Sequence, residues 1–296
     1  MLSKILFIKN FIDHHPIASK AKWRCYGRVL YWQLIQAINP RLVKMKFVEN
    51  SNLMMKKGLA GATSHIYAGL GEYEEMSLVL HLLRPGDLMG DVGANIGAFS
   101  VLAAANVGAD AISIEPIPDT YSILQSNVES NKAQQKITTL QYGVGDKEGV
   151  LRFTSALDAM NHVLLDNEES SDAIEIKVLT LDTIFANRTP TMMKIDVEGY
   201  EYPALLGAQK ILSDPALQAI IIELNGCGKN FGYDENAVHQ MLLDKGFIRM
   251  HYHPVERSFT EDHEGKNDNK IYIRDRNWAN ERVTTARKYK ILNSRI

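Results

Sequence analysis

The sequence has few of the features that mark several large classes of protein. Its 296 residues include only two cysteines, Cys25 and Cys227, which are too far apart to form a metal-binding motif. We therefore expect free thiols in a reducing compartment. The apolar run at the N-terminus is short and interrupted by lysines, which predicts no membrane-spanning helix, and no small-residue cleavage site follows it. These absences favour a cytoplasmic protein over a secreted one.

The chain has no large excess of either charge, with a formal net charge of −2, but its charged residues are unevenly distributed. Residues 1–60 contain eleven basic and two acidic side chains, and residues 274–296 contain seven basic and two acidic ones. The two ends thus carry +9 and +5, and the region between them carries −16. An acidic body suits an enzyme that acts on a small molecule better than a broad nucleic-acid binder. The basic ends could contact an anionic membrane or a glycan, although a solvated charged surface explains them more simply.

A helical pattern with interleaved apolar and basic residues occupies the N-terminal region. Its apolar positions are Trp23, Tyr26, Val29, Leu30, Leu34 and Ile38. A helix of this kind either lies on a membrane surface or packs as a lid or a dimer helix, and we favour packing. Both a homodimer and a peripheral contact with the inner membrane face through residues 1–60 stay open.

Strand and helix patterns alternate through the rest of the chain. The predicted core strands are residues 88–92, 111–115, 137–144, 192–197 and 219–223. This alternation predicts an α/β fold with a doubly wound, mostly parallel sheet. Strands 150–153 and 174–178 are expected to pair antiparallel, and strands 247–253 and 270–273 to form a hairpin around a polar loop at 255–269.

The turn after the first core strand is the most informative motif. Asp91 ends the strand, and Gly93 and Gly97 follow with Asn95 between them. Glycine lets backbone N–H groups approach a ligand closely. The spacing differs from the Gly-x-Gly-x-x-Gly of dinucleotide sites, and an acid before the first glycine repels a pyrophosphate but attracts an ammonium. The pattern favours S-adenosylmethionine, although a plain glycine turn explains it too.

Acids end four of the predicted core strands: Asp91, Glu115, Asp196 and Glu223. Ligands of open α/β sheets bind outside the carboxyl ends of the strands, so we expect these acids to lie at one edge of the sheet. Glu115 is placed to accept hydrogen bonds from both ribose hydroxyls. Asp146, after the third strand, either meets the adenine amino group or is a turn residue.

The segment 194–201, Lys-Ile-Asp-Val-Glu-Gly-Tyr-Glu, is the second strong motif. An acid that ends a buried strand is costly unless it is paired or binds a ligand, so Asp196 is expected to face the cleft near the sulfonium. Glu198 either accepts a proton or caps the following helix. Lys194 lies on the same face of the sheet as Asp196 and is expected to pair with one of these carboxylates.

These motifs together resemble the FkbM family of S-adenosylmethionine-dependent methyltransferases. The matching stretches are residues 84–87, 91–97, 115–116, 181–182, 194–201, 206–208 and 222–223. The resemblance implies a Rossmann-like class I methyltransferase with a seven-stranded sheet and S-adenosylmethionine as cofactor. It also implies O-methylation of sugars in surface polysaccharides or of secondary metabolites. Tyr67 and Glu74, in the segment before the first core strand, resemble residues that close over the methionine end of the cofactor.

This resemblance divides the chain into three regions. We expect a basic helical N-terminal extension at 1–60, a methyltransferase domain at 61–276 and a basic C-terminal tail at 277–296. The acceptor is expected to be a small molecule or a glycan rather than a nucleic acid.

A sugar hydroxyl needs a base to take its proton as the methyl group is transferred. The candidates are Asp196, Glu198, Glu223 and His162, the last in a polar loop where a solvated histidine is the simpler interpretation. The three acids could instead gather a divalent cation. No dense acid motif requires this, and we expect no metal.

Three other functions share the predicted sheet. An NAD-linked or nucleotide-sugar oxidoreductase is opposed by the missing dinucleotide glycine pattern. A nucleic-acid methyltransferase is opposed by the acidic body and by the absence of an Asn-Pro-Pro-Tyr-like motif. A non-catalytic module that binds S-adenosylmethionine is opposed by the intact set of cofactor acids.

Overall fold

A computed structural model describes residues 2–39, 41–155, 161–165, 168, 170–265 and 267–296 of the chain. Its α-helices are α1 (Leu2–His14), α2 (Lys22–Ile38), α3 (Ala60–Ala68), α4 (Tyr73–Leu82), α5 (Ala98–Val101), α6 (Pro118–Ser130), α7 (Leu181–Ile184), α8 (Glu201–Leu206), α9 (Glu235–Asp244) and α10 (Arg276–Thr285). Helix α5 continues as a π-helix over Leu102–Val107. Most of the helices thus alternate with strands.

The strands are β1 (Val43–Lys46), β2 (Asn52–Met55), β3 (Leu88–Val92), β4 (Asp110–Ile114), β5 (Ile137–Leu140), β6 (Gly143–Val144), β7 (Gly149–Phe153), β8 (Ile174–Leu179), β9 (Met192–Ile195), β10 (Ala219–Glu223), β11 (Ile248–His253), β12 (Ser258–Glu261), β13 (Asn269–Ile273), β14 (Lys290–Ile291) and β15 (Ser294–Arg295). Eight of them form the central sheet, in the order β12-β11-β13-β10-β9-β3-β4-β5. The strands from β10 to β5 pair in parallel, and β13 pairs antiparallel with β10 and β11. The predicted doubly wound, mostly parallel sheet is confirmed.

The structure corrects two predicted strand boundaries. Residues 137–144 are not one strand, because Gly143 and Val144 leave the central sheet and pair with β8 in a separate sheet of β6, β8 and β7. The loop expected at 255–269 contains β12, which pairs antiparallel with β11. This edge strand raises the central sheet from the predicted seven strands to eight. The expected antiparallel pairing of β7 with β8 is present.

Side chains of the buried strands alternate between the two faces of the sheet, as the pleat requires. In β10, Ala219 and Ile221 belong to the core that includes α2 to α6, whereas Ile220 and Ile222 belong to the core that includes α8 and α9. A strand covered on both faces is apolar throughout. The carboxyl ends of β3, β4, β9 and β10 therefore remain the part of the sheet that polar groups can occupy.

The N-terminal region packs against the rest of the protein and is only partly helical. Strands β1 and β2 form an antiparallel hairpin, and the N–H of Met54 donates to Oδ1 of Asn127 in α6 (2.5 Å). Ile12 and Cys25 are fully buried in the main core, with Trp32 3% exposed. No helix among the described residues is long and apolar enough to cross a bilayer.

Candidate functional site

A cavity of about 340 Å³ opens at the carboxyl ends of β3, β4, β9 and β10. This is the edge of an α/β sheet at which ligands bind. The charged residues that line it are Glu72, Asp91, Glu115, Lys194, Asp196, Glu198, Glu223 and Asp268. His65 also faces the cavity, but burial and then the charge of Lys194 lower the pKa of its imidazole to about 3, so this histidine is neutral. The described lining is strongly acidic.

Glycine holds the turn between β3 and α5. Gly93 has φ +74°, and a Cβ atom there would lie 1.7 Å from the carbonyl oxygen of Asp196. The N–H groups of Gly93 and Ala94 both donate to the carbonyl of Ile114 at 2.9 Å, which ties the turn to β4. A side chain at position 93 would therefore force the turn away from the end of β9.

Asp91, near the end of β3, is almost completely buried. Its Oδ2 accepts hydrogen bonds from the N–H (3.1 Å) and the hydroxyl (2.6 Å) of Ser100. Its Oδ1 is buried without a hydrogen-bond partner among the described residues. Burial raises the pKa of this carboxyl group, against the opposing effects of Lys194 and Ser100. Because an unpartnered buried oxygen is costly, Oδ1 is suited to bind a donor on a ligand.

Glu115 follows β4 and is also buried. Its Oε2 accepts a hydrogen bond from the N–H of Asn95 (2.9 Å), and its Oε1 accepts one from the N–H of Ile117 (3.0 Å). Burial raises the pKa of Glu115 to about 7, although both N–H groups act to lower it. Each oxygen keeps a free lone pair, so the carboxylate can still accept bonds from two ligand hydroxyls.

Buried Lys194 forms an ion pair with the partly exposed Asp196, with 2.5 Å between Nζ and Oδ2. This is the pairing expected from the sequence. The ammonium also lies 4.9 Å from the centre of the Phe99 ring. Burial acts to lower the pKa of Lys194, but the carboxylates of Asp196, Glu72 and Asp91 outweigh it and raise that pKa. Lys194 therefore stays charged.

Glu198 and Glu223 complete a cluster around Asp196, and one carboxylate oxygen from each of the three lies within 4.8 Å of the others. Burial, followed by the charge of Asp196, raises the pKa of Glu223 and raises that of Glu198 to about 7. Oε2 of Glu223 accepts a hydrogen bond from Asn225 (3.0 Å), whereas the Glu198 carboxylate has none from the described residues. Close carboxylates of this kind either share a proton or hold a divalent cation.

A comparison with models of protein families identifies the family of this chain. Residues 91–249 match the methyltransferase FkbM domain, a stretch that includes both the glycine turn and the carboxylate cluster. The chain belongs to the FkbM methyltransferase family. It is thus a methyltransferase with a Rossmann-like sheet, as its motifs predicted.

Individual relatives of this FkbM chain are distant. The hexuronic acid methyltransferase AglP of Haloferax volcanii is 28% identical over 177 residues, which are 59% of this chain and 69% of AglP. The 31-O-demethyl-FK506 methyltransferase FkbM of Streptomyces tacrolimicus is 26% identical over 177 residues, or 48% of this chain and 67% of that protein. A crystal structure of methyltransferase FkbM from Methylobacillus flagellatus KT aligns with TM-score 0.46 and 21% identity, over 71% of this chain and 52% of that one. This chain thus spans about half of the solved protein.

The segment before β3 reaches the cavity of the FkbM chain through residues other than those predicted. Tyr67 is buried in the core and Glu74 lies 3.6 Å from His251, and neither lines the cavity. Their neighbours two positions earlier, His65 and Glu72, do line it. Two residues span 200° of a helix, which explains why Tyr67, on α3 with His65, faces away. We therefore replace Tyr67 and Glu74 by His65 and Glu72 as the cavity-facing residues.

The structure places three other predicted residues at the margin of the site. Asp146 is exposed in the turn between β6 and β7 and does not line the cavity, which agrees with the turn alternative. His162 lies 3.3 Å from Glu168 and outside the lining, although its neighbour Asn161 belongs to it. Gly97, with φ +81°, ends the turn directly before α5 and does not line the cavity. Residues 156–160 of the His162 loop lie outside the described residues.

Asp268 and Asn269 line the cavity, although the sequence motifs predict neither as a site residue. Asn269 pairs with Glu223 across β13 and β10, and its side-chain amide donates to Glu72 (3.3 Å). The strand order that brings β13 beside β10 is a long-range property, so no local motif marked these residues.

We predict that Gly93→Ala disrupts the site, because alanine strains a backbone at φ +74° and its Cβ clashes with the carbonyl of Asp196. The free energy of unfolding should fall by at least about 2 kcal/mol, as measured by chemical denaturation. Gly149→Ala is the control, because nothing lies within 4 Å of a Cβ atom there, and it should change stability by less than about 0.5 kcal/mol. Equal stabilities of the two variants would contradict the close approach of β3 and β9.

Proposed function

We propose that this FkbM enzyme transfers the methyl group of S-adenosylmethionine to a hydroxyl group of a sugar, a glycan or a secondary metabolite. The observation that carries the proposal is the buried Oδ1 of Asp91 beside the glycine turn, which has no hydrogen-bond partner in the described part of the chain. A buried anionic oxygen at this position calls for a cationic donor, such as the ammonium of a methionine group.

The remaining lining residues fit the other parts of this cofactor. Glu115 can accept hydrogen bonds from two ribose hydroxyls, and Asp196 supplies negative charge for the sulfonium. An acidic lining with Lys194 as its one positively charged side chain among the described residues would repel the pyrophosphate of a dinucleotide. When bound, S-adenosylmethionine supplies an electrophilic methyl group.

We expect Asp91→Asn and Glu115→Gln to weaken the binding of S-adenosylmethionine by about 10- to 100-fold each. This range corresponds to the loss of one charge-assisted hydrogen bond, and isothermal titration calorimetry measures it directly. Asp146→Asn removes an exposed carboxylate outside the cavity and should leave the affinity within about twofold. Unchanged affinity in Asp91→Asn would remove the cofactor assignment.

The acceptor hydroxyl needs a base, and the contacts favour Glu198 over Asp196 for this task. Oδ2 of Asp196 is held by Lys194, and a carboxylate in an ion pair has less tendency to take a proton. The Glu198 carboxylate lines the cavity, forms no hydrogen bond with the described residues and has a pKa of about 7. A base acts best when its pKa is near the working pH. Glu198 thus combines a free oxygen with a suitable proton affinity.

The acidic lining of the cavity also indicates which charge the acceptor carries. AglP is named for a hexuronic acid and the Streptomyces FkbM for 31-O-demethyl-FK506, so relatives differ in what they methylate. Here a carboxylate or phosphate beside the reacting hydroxyl would meet Glu198, Glu223 and Asp268, and like charges repel strongly where water is excluded. We therefore propose an uncharged sugar or polyol as acceptor. A nucleic acid is disfavoured for the same reason.

We predict that Glu198→Gln lowers kcat by about 10²- to 10⁴-fold, the usual contribution of a general base, while the affinity for S-adenosylmethionine is retained. The carboxylate must be ionised to accept a proton, and its pKa is raised to about 7. Wild-type kcat should therefore fall as the pH drops below about 7, and the variant should lack this inflection. Stopped assays over a pH series measure both effects.

Two controls accompany this series. Asp196→Asn should weaken cofactor binding as well as methyl transfer, because it removes negative charge that faces the sulfonium and leaves Lys194 without its partner, whereas Glu198→Gln should affect methyl transfer alone. The profiles should also be repeated with EDTA, since a cation held by the three carboxylates would replace their proton and move the inflection to lower pH. Wild-type turnover by Glu198→Gln would assign the base to another residue.

An acceptor panel tests the reaction itself. With a labelled methyl donor, neutral sugars and polyols should be methylated with kcat/KM at least about tenfold higher than matched uronates or sugar phosphates. Mass spectrometry of the products locates the new methyl group on oxygen. A preference for the uronate would contradict the inferred acceptor charge and leave the methyltransferase assignment intact.

A further inference from the structure

Helix α2 is apolar on two opposite faces, of which only one is covered. Cys25 and Trp32 are buried, and α2 packs on α3 through this side. The opposite stripe contains Trp23, Leu30, Leu34 and Ile38, at spacings of seven, four and four residues. Their exposed fractions are 89%, 62%, 54% and 83%, respectively. Leucine, tryptophan and isoleucine so exposed in one row mark a surface that binds something apolar.

Helix α1 also exposes apolar side chains, in its first half. Ile5, Leu6 and Phe7 are 57%, 57% and 72% exposed, whereas Ile12, in the second half of the helix, is fully buried. The first half of α1 therefore extends beyond the core. We call Ile5–Phe7 of α1 and the row Trp23 to Ile38 of α2 the N-terminal apolar surface.

The charges around the N-terminal apolar surface are almost entirely positive. Residues 1–60 contain eleven lysines and arginines but only two acids, Asp13 and Glu49. Asp13 is already paired with Lys9 and Lys22 (2.6 and 2.5 Å), and Glu49 with Arg287 (2.9 Å). No acid of this region is left to balance its remaining basic residues.

A second cavity, of about 310 Å³, lies beside the start of α2. Its lining includes Lys20, Arg257, Lys288 and Arg295 against one acidic side chain, Glu256. Lys20 is three residues before Trp23, so a basic pocket adjoins the N-terminal apolar surface. A pocket of this charge suits an anionic phosphate group.

We propose that the N-terminal apolar surface docks onto an anionic lipid membrane, with Trp23 and the leucines at the level of the headgroups and the basic cavity facing lipid phosphates. Tryptophan beside basic residues is typical of helices that lie in a membrane interface, and each nearby lysine or arginine strengthens binding to anionic lipid. A second copy of the chain would bring the same positive charge to the contact, so charge disfavours self-association. This inference does not depend on the proposed acceptor.

Docking there would place the methyltransferase site close to the bilayer. Helix α3, which packs on the buried face of α2, lines the active-site cavity through Gly61, Ala62 and His65. Helices α2 and α3 thus lie between the docking surface and the cavity.

The experiment uses the fluorescence of the full chain with lipid vesicles. Of the three tryptophans, Trp23 is exposed, Trp32 is buried and Trp278 is half-buried. Vesicles that contain phosphatidylglycerol should shift the emission to shorter wavelength, and brominated lipid should quench it. Trp23→Phe should still sediment with the vesicles but lose this response. Pure phosphatidylcholine vesicles should bind at least about tenfold more weakly, and added salt should weaken binding to the anionic ones.

Leu30→Glu and Leu34→Glu test the surface directly, and each should weaken vesicle binding at least about tenfold. Leu243→Glu is the matched control, since Leu243 is 38% exposed on α9, and it should bind vesicles like the wild type. All three variants should keep the wild-type melting temperature and affinity for S-adenosylmethionine, which separates lost docking from lost folding. Failure of the wild type to bind anionic vesicles would overturn the proposal. So would a dimer in analytical ultracentrifugation that Leu34→Glu dissociates.

Discussion

The buried ammonium of Lys194 is the interaction on which the site depends. Four carboxylates from neighbouring strand ends, Asp91, Glu115, Asp196 and Glu223, converge on a cavity in which Lys194 is the one charged cation among the described lining residues. Burial of an ionised acid without compensation is costly. The ion pair of Lys194 with Asp196 lowers that cost, but one positive charge cannot balance the whole cluster.

The unbalanced charge explains why several of these acids hold protons more tightly than free carboxylates do. Burial raises the pKa of Glu115 and of Glu198 to about 7 and raises that of Glu223 as well. A ligand with positive charge would replace these protons in stabilising the cluster. The excess of acidic side chains in the lining thus favours a cationic ligand. A sulfonium cofactor with an ammonium group satisfies this condition, whereas a dinucleotide would not.

The same charge pattern shows what the sequence could predict about the site. Acids at the ends of apolar strands are a local feature, and parallel strands bring their carboxyl ends to one edge, so Asp91, Glu115, Asp196 and Glu223 could be grouped without coordinates. The family motif covers the same residues. The register between neighbouring strands also follows a regular pattern. It places Lys194 of β9 opposite Asp91 of β3.

Predictions that required helical phase or long-range pairing were less accurate. The sequence indicates that the segment before β3 reaches the cavity. Which of its residues face the cavity depends on how α3 and α4 pack. In both cases the residue that lines the cavity lies two positions before the predicted one: His65 instead of Tyr67, and Glu72 instead of Glu74. Asn269 was missed because β13 reaches Glu223 only through the strand order. The predicted strand at 137–144 is too long, because Gly143 pairs with a strand of another sheet.

The sequence also offered two uses for α2, packing and a membrane surface, as alternatives. In the structure α2 has an apolar stripe on each of two opposite faces, so the alternatives do not exclude each other. A helix that has to pack on one side needs only one such stripe. The second stripe is 54–89% exposed, and such exposure is the reason for proposing a partner outside the chain.

Backbone conformation links the two halves of the catalytic edge. Gly93, Asn95 and Glu198 all have positive φ, at +74°, +50° and +54°, and they flank the cavity at the ends of β3 and β9. Non-glycine residues in this region are uncommon and are kept there by surrounding contacts. Gly93 packs against the carbonyl of Asp196, two residues before Glu198, so the turn proposed to hold the cofactor also positions the residue proposed as the base. A change at the end of either strand is therefore expected to displace both the glycine turn and Glu198.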